Sequence, residues 1–336
     1  MLTLIIALVT ISLVFDFLNG LHDSSNIVAT MISSRAFSPR AALSITAAAE
    51  FSGPFLFGVA VAKTIGHDIV AAETITIEVI FAALLSAILW NLFTWFFGIP
   101  SSSSHALIGG LIGAVGMGAG LGAIHLNGLG KILIALFVSP FLGLIAGYFF
   151  TKLVFFLARS ASPRINWFLK RSQIFTALAL ALSHGTNDAQ KTMGIIALAL
   201  VTTGYLTQFQ IPTWVIAISA GAIALGTICG GWRLIKTLGG RFYKIRPVHG
   251  FSAQVTSATV ILGAALLGGP VSTTQVVSSA IMGVGSAERL NKVRWGVAGN
   301  IAAAWLLTIP ATALFAASLY WVAVQVTPTL TLFASK

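Results

Sequence analysis

The chain contains long apolar stretches, several of them near or above the roughly 20 residues that an α-helix needs to cross a lipid bilayer. Only 8% of its 336 residues are charged, and 57% are hydrophobic. A soluble protein carries about a quarter charged residues. This chain therefore has too few charges to cover even one soluble domain, and we predict an all-α protein that crosses a membrane many times.

Ten apolar segments divide the chain, which predicts about ten to twelve helical pieces. The first and sixth segments are too long for one plain crossing and have polar residues in their middle, and the short fourth and ninth follow clusters of serine and threonine. Broken or re-entrant helices would explain both features. The segments are 2–34, 41–62, 75–97, 105–124, 131–157, 173–203, 213–231, 251–267, 272–285 and 295–321.

Basic residues lie in short loops between these segments. If every segment crosses once, most of the 19 Lys and Arg fall on one side. Their loops are 35–40, 159–171, 233–246 and 289–294. The other side receives only Lys63, Lys131 and Lys336. Because positive loops mark the cytoplasm, we predict that both termini face outward, and we attribute the net charge of +11 to orientation rather than to nucleic-acid binding.

Two further features narrow the class of protein. The single cysteine, Cys229, lies in an apolar segment, so neither a disulfide framework nor a cysteine metal site is available. The opening residues lack a basic start and an obvious small-residue cleavage site, so we interpret them as a first span rather than a removable signal. We expect a multi-pass protein of the cell membrane, surrounded by lipid, and leave open whether it forms a homodimer.

The first and second halves of the chain also resemble each other in sequence. Residues 20–23 (GLHD) have a counterpart in 185–188 (GTND), and residues 98–114 (GIPSSSSHALIGGLIGA) align with 268–284 (GGPVSTTQVVSSAIMGV). These matches predict two membrane repeats joined by a basic cytoplasmic linker. The predicted parts are 1–158, 159–172 and 173–336.

The predicted orientation makes these repeats inverted. The first span is predicted to run inward and the span from residue 173 outward. A weaker sequence match between the halves aligns Gly53 with Gly221. Inverted repeats with interrupted helices are a design of secondary transporters, whose binding site lies near the midplane where the halves meet. We therefore predict a transporter that works by alternating access.

Four charged residues lie deep in apolar segments, where a charge is costly and is a functional hypothesis by default. They are Asp23, Glu50, Asp188 and Lys191. Lys191 follows Asp188 by three residues, so a local ion pair on one helix face is one explanation of those two. It does not explain Asp23 or Glu50. The two aspartates, beside Asn26 and Asn187, supply hard oxygen ligands that suit a small cation.

The hydroxyl clusters at Ser101–Ser104 and Ser272–Thr274 each follow a proline and precede a helical pattern. Hydroxyls and free backbone N–H groups at a helix N-terminus form a ready anion site. Ordinary helix caps are the alternative, but a cap needs one Ser or Thr rather than three or four. Two such helix ends facing each other would surround a tetrahedral oxyanion.

Residues 184–195 (HGTNDAQKTMGI) resemble the second-half signature of the inorganic phosphate transporter (Pit) family, and residues 15–30 (FDFLNGLHDSSNIVAT) resemble its first-half counterpart in compact bacterial members. The clusters at 100–105 and 270–275 fall where that family places its paired hairpins. The resemblance covers nearly the whole chain. It implies an inverted-repeat fold with two re-entrant helical hairpins, and symport of inorganic phosphate with sodium or protons.

Carried over by position, the resemblance assigns the coupling ions to Asp23, Asn26, Asn187 and Asp188. It assigns phosphate to Ser102, Ser103, Ser104, Ser272, Thr273, Thr274 and Gln275. Supporting roles are expected for His22, Glu50, His105 and Lys191. The family usually has Asn where His22 stands, and imidazole carries a proton near neutral pH. This departure puts sodium specificity in doubt.

No catalytic residue, no cofactor and no metal other than sodium are expected. Three alternatives remain open at this stage. A transporter of the same fold could carry sulfate. A buried acceptor such as Glu50 would favour phosphate, because phosphate can donate a hydrogen bond and sulfate cannot. An intramembrane aspartyl protease would use Asp23 and Asp188 as its catalytic pair, but the chain lacks a GxGD motif. A passive anion channel would need no ion gradient.

Overall fold

The computed structural model describes residues 2–67, 69–70, 75–237 and 243–334. This part of the chain is helical, which confirms the all-α prediction, and Lys336 and Arg241 lie outside it. The α-helices in chain order are α1 (Leu2–Ser33), α2 (Pro39–Phe57), α3 (Ala60–His67), α4 (Ile77–Phe97), α5 (Ser103–Gly118), α6 (Leu126–Leu157), α7 (Ile165–Thr202), α8 (Thr213–Cys229), α9 (Trp232–Lys236), α10 (Pro247–Leu266), α11 (Thr273–Glu288) and α12 (Trp295–Ala334).

Several helices are long and apolar enough to cross a bilayer, so the chain is a multi-pass membrane protein. Among the described residues these are α1, α4, α6 and the Trp295–Gln325 part of α12. The pair α2 and α3 would make a fifth span, bent by 80° at a short break. Helix α7 begins at Ile165, so part of the predicted linker 159–172 is helical.

The expected breaks in the first and sixth apolar segments are wrong. Helix α1 runs for 32 residues and α7 for 38 residues without interruption. The buried carboxylates of Asp23 and Asp188 in these helices accept hydrogen bonds from α5 and α11, so the backbone ladder does not have to open around them. The break lies instead between α2 and α3, where Gly58 has a φ of 81°, a left-handed conformation that glycine adopts without strain.

The side chain of Gln190, on α7, bridges this break between α2 and α3. Gln190 is 1% exposed. Its Oε1 accepts hydrogen bonds from the backbone N–H groups of Val61 (2.8 Å) and Ala62 (3.2 Å), and its Nε2 donates to the carbonyl oxygen of Gly58 (2.6 Å). The side chain thus satisfies the first donors of α3, which have no partner within their own helix.

Replacing Gln190 with Ala should therefore destabilise the protein, since each buried backbone group left without a partner costs about 1–3 kcal/mol. The expected result is a clearly lower unfolding temperature of the detergent-purified protein. The matched control is Gln208→Ala, because Gln208 is exposed after the end of α7. Equal unfolding temperatures for the two variants would contradict the bridging role of Gln190.

Helices α4 and α5 form one antiparallel hairpin, and α10 and α11 form another. Each hairpin packs its second arm on a long helix of the other half of the chain. A Cβ atom on Gly113 of α5 would lie 2.0 Å from the carbonyl oxygen of Ala313 in α12, and one on Gly283 of α11 would lie 2.1 Å from that of Leu144 in α6. The two glycines, which the sequence aligns with each other, therefore make corresponding backbone contacts.

The first helices of the two halves pack in the same exchanged way. A Cβ atom on Gly20 of α1 would lie 2.1 Å from the carbonyl oxygen of Ile223 in α8, and one on Gly185 of α7 would lie 2.2 Å from that of Glu50 in α2. Such close approaches need glycine, because any side chain would overlap the neighbouring backbone.

The alignment of Gly53 with Gly221 is wrong. Gly53 packs against the backbone of α7 at Leu182, and the residue that packs correspondingly against α1, at Phe17, is Gly226. Gly221 has no atom of another residue within reach of a Cβ position. The sequence match was five residues out of register because small residues recur at several spacings in α8.

Two of the predicted inner loops lie together in the structure. Arg246, before α10, pairs with Glu288 at the end of α11 (Nη2 to Oε2, 2.6 Å), and Lys292 pairs with the same carboxylate oxygen. Both ends of the α10–α11 hairpin therefore lie on one side of the molecule, as the prediction from the charge distribution requires.

Candidate functional site

The tips of the two hairpins meet deep inside the molecule, and each tip carries the N-terminus of a helix. Ser102 caps α5 by accepting a hydrogen bond from the backbone N–H of His105 (3.1 Å), and Ser272 caps α11 by accepting one from Gln275 (3.3 Å). A helix N-terminus presents unpaired N–H groups and a partial positive charge. Two such ends therefore point into the same buried region.

Asp23 of α1 joins the two hairpin tips. Its side chain is fully buried. Thr274 Oγ1 donates to Oδ1 (2.7 Å) and Ser103 Oγ donates to Oδ2 (3.3 Å), so one hydroxyl comes from each hairpin. The Nδ1 atom of His22 lies 2.9 Å from Oδ1. One carboxylate thus accepts hydrogen bonds from both hydroxyl clusters and contacts an imidazole.

Asp188 of α7 occupies a similar position. Its Oδ2 accepts a hydrogen bond from Thr273 Oγ1 (2.8 Å) and lies 3.1 Å from His184 Nε2. Its Oδ1 accepts a short hydrogen bond from Lys191 Nζ. The second carboxylate therefore also combines a hairpin hydroxyl with basic partners.

Lys191 reaches beyond its ion pair with Asp188. Its Nζ also donates to Ser104 Oγ at the first hairpin tip (2.6 Å) and to the carbonyl oxygen of Val271 at the second (3.0 Å). Ser104 Oγ in turn donates to that same carbonyl oxygen (3.2 Å). The local ion pair predicted from the sequence exists, but this lysine also ties the two hairpins together.

His184 connects Glu50, the third buried carboxylate predicted from the sequence, to this group. Its Nδ1 lies 2.9 Å from Glu50 Oε1, and its Nε2 lies 4.0 Å from Asp23 Oδ2. Ligand atoms of Asp23, His184 and Asp188 all lie within 4.8 Å of one another, a spacing that could hold a metal ion. We call the following residues the central site: Asp23, His184, Asp188, Lys191, Ser103, Ser104, Thr273 and Thr274.

The two predicted asparagines lie at the edge of the central site. Asn26 Nδ2 donates to Thr274 Oγ1 (3.0 Å), and Asn187 Nδ2 donates to the carbonyl oxygen of Gly269 (3.3 Å). Both Oδ1 atoms are buried and have no hydrogen-bond partner among the described residues. The Nδ2 atoms of both residues thus hold neighbouring groups in place, while their Oδ1 atoms remain available to a cation.

His105 and Gln275 contribute less directly. His105 Nδ1 lies 2.7 Å from Ser102 Oγ, which orients the cap of α5. Gln275 lines a separate cavity of about 300 Å³ with Phe137 and Trp305. Their side chains make no hydrogen bond to either aspartate within the described part of the chain, so they differ from the other predicted residues.

Some buried polar residues were missed in the sequence. Asp16 is fully buried in α1, and its position inside an apolar segment was the signal that should have identified it. A second group links α1, α7 and α10: Gln254 Nε2 donates to Thr30 Oγ1 (3.0 Å), and Ser34 Oγ donates to Gln173 Oε1 (2.9 Å). An isolated glutamine in a helix gives no such signal, because its partners lie on other helices.

The chain matches known proteins over nearly its whole length. Residues 19–316 match the phosphate transporter family. The chain is 45% identical over 322 residues to a probable low-affinity inorganic phosphate transporter of Rhizobium meliloti (strain 1021). This alignment covers 95% of this chain and 96% of that protein. The chain is 45% identical over 328 residues to a protein of the same description from Bacillus subtilis (strain 168), with 96% and 98% covered.

A solved structure is similar over almost its whole length. The sodium-dependent phosphate transporter has a TM-score of 0.85 and 26% sequence identity, and the match covers 96% of this chain and 100% of that one. These three relatives are named as transporters rather than enzymes, and each name contains phosphate rather than sulfate.

Proposed function

The chain belongs to the phosphate transporter family, and from this premise we propose that it imports inorganic phosphate by symport with a cation, through alternating access, in the cell membrane. One observation carries the proposal: hydroxyls from both hairpin tips, Ser103 and Thr274, converge on the buried carboxylate of Asp23. The hydroxyls that would bind the anion are therefore the same groups that donate to the carboxylate that would bind the cation.

This sharing suggests how coupling works. The hydroxyls that donate to Asp23 and Asp188 are the donors that a phosphate at the hairpin tips would need. A cation that neutralises the carboxylates frees these hydroxyls for phosphate and removes a repulsion of about 4 kcal/mol between like unit charges at about 4 Å and an effective dielectric of 20. Phosphate should therefore bind well only after the cation.

The identity of the coupling cation is the finer part of the proposal. Both central aspartates have nitrogen bases as neighbours, His22 at Asp23 and His184 and Lys191 at Asp188. Nitrogen bases beside a carboxylate form a path along which a proton can be relayed, whereas sodium prefers oxygen ligands. The geometry therefore favours the proton over sodium at the central site.

Alternating access is supported by the exchanged packing of the two halves. Each hairpin contacts a long helix of the other half, and corresponding glycines make corresponding contacts. We therefore propose that residues 1–158 and 173–336 are two repeats inserted in the membrane with opposite orientations. In this arrangement phosphate lies between halves that rock around it, with both termini outward.

Uptake of labelled phosphate into proteoliposomes tests this function. A sodium gradient and a proton gradient are imposed separately, and the expected result is accumulation driven by the proton gradient and little competition from excess sulfate. Accumulation driven by sodium alone would overturn the assignment of the proton, and strong competition by sulfate would overturn the assignment of phosphate. Equilibration that is indifferent to both gradients would indicate a channel.

A further inference from the structure

A second group of buried polar side chains lies on α1, α7 and α8, away from the hairpin tips. It consists of Asp16, Asn19, Thr192 and Ser219, all fully buried. We call it the outer polar cluster. Both carboxylate oxygens of Asp16, both side-chain atoms of Asn19 and the hydroxyls of Thr192 and Ser219 lack a hydrogen-bond partner among the described residues.

The packing of the helices explains why these residues meet. Asp16 and Asn19 are three residues apart on α1 and share a face. Helix α8 runs parallel to α1 and contacts it closely where Gly20 meets Ile223, so Ser219 lies beside Asp16 one turn earlier on both helices. The hydroxyls of Thr192 and Ser219 both face the Asp16 carboxyl group.

These oxygens lie near one another, and the two hydroxyls are the neutral neighbours of the carboxyl group. A buried carboxylate that has no basic partner of its own is strongly destabilised. The charged groups close enough to act on Asp16 include Asp188 and Lys191, and their effects have opposite signs. The charge of Asp16 is therefore not compensated by a dedicated protein partner, in contrast to Asp23 and Asp188.

We propose that the outer polar cluster binds a sodium ion. Asp16 offers two oxygens, and Asn19, Thr192 and Ser219 offer one each, a set of hard ligands drawn from three helices. A single positive charge neutralises the single carboxylate, whereas a divalent ion would leave an uncompensated charge in the apolar interior.

The position of the cluster gives the ion a role that rests on the proposed function. Asp16 precedes Asp23 by seven residues, which places it about 10 Å nearer the predicted outer end of α1. Thr192 lies one turn beyond Asp188 on α7 and so shares its face. A sodium ion entering from outside would thus bind before the central site and add positive charge next to it.

Equilibrium binding of radioactive sodium to the purified full-length protein, without phosphate and with choline as the replacing cation, tests the site. Wild type should bind sodium saturably, and Asp16→Asn should weaken binding by about tenfold or more, since a ligand charge is lost. Ser219→Ala removes one neutral ligand and should cause a smaller loss. Ser139→Ala is the matched control, because Ser139 carries a buried hydroxyl on α6 that donates to the carbonyl oxygen of Leu136 in the same helix.

Size-exclusion profiles identify variants that fail to fold, and in that case the loss of affinity in Ser219→Ala decides the question. Wild-type affinity in Asp16→Asn, or no saturable sodium binding by the wild type, would overturn the proposal. Phosphate uptake measured on the same preparations separates the two hypotheses. Sodium binding without phosphate uptake would refute the proposed function alone, and uptake without sodium binding would refute the sodium site alone.

Discussion

Replacing Asp23 with Asn should abolish the concentrative uptake of phosphate while leaving downhill exchange in place. The amide has nearly the shape of the carboxylate, and its single oxygen can still accept a hydrogen bond from one of the two hydroxyls, Thr274 or Ser103, that donate to Asp23 in the structure. It cannot attract a cation as the carboxylate does, and it resembles the carboxylate after its charge has been neutralised. Phosphate should then bind without the cation and lose its coupling to the gradient.

Two measurements on the same proteoliposomes check this expectation. Gradient-driven accumulation should disappear, so that the internal and external phosphate concentrations become equal, while counterflow between labelled and unlabelled phosphate continues. Glu78→Gln is the matched control, since Glu78 lies in the first turn of α4, away from the central site. Accumulation at the wild-type level in Asp23→Asn would show that Asp23 does not serve coupling.

The sequence predicts the members of the central site well because the cost of burying charge is independent of the details of packing. Asp23, Glu50, Asp188 and Lys191 were identified from their positions in apolar segments, and all four are buried and contact one another directly or through His184. The assignment of Ser102 and Ser272 to helix starts follows equally from local chemistry, and both cap a helix. Their roles in transport stay predictions.

Contacts between distant helices could not be predicted in the same way. Gln190 closes the break between α2 and α3, but nothing near it in the chain indicates that its partners lie on another helix. The register of α8 was misassigned because Gly221 and Gly226 are equally plausible until the contact with Phe17 is known. Long-range packing depends on three-dimensional proximity, to which one sequence gives only indirect access.

Lys191 makes one contact that the sequence predicts and others that it does not. Its spacing from Asp188 predicts an ion pair, and the structure contains it. The contacts with Ser104 and the carbonyl oxygen of Val271 come from hairpin tips that are remote in sequence. The sequence therefore identifies the partner of the charge but not the part that this lysine plays in joining the halves, and the two roles can be separated by mutation.

Replacing Lys191 with Met should lower the unfolding temperature of the purified protein strongly and abolish phosphate uptake. Methionine fills a similar volume but leaves the Asp188 carboxylate without its closest cation, and removing one partner of a buried ion pair costs about 3–5 kcal/mol. It also breaks the link between the hairpin tips. Lys152→Met is the matched control, because Lys152 is exposed on α6.

The double variant Lys191→Met with Asp188→Asn separates stability from transport. Removing both charges of a buried pair is often nearly neutral for stability, so the unfolding temperature should recover towards that of the wild type. Uptake should not recover, because neither a charged Asp188 nor a link between Ser104 and Val271 is present. If the double variant regained uptake together with stability, Lys191 would serve only to neutralise Asp188, and the convergence of the two hairpins on this lysine would have no part in transport.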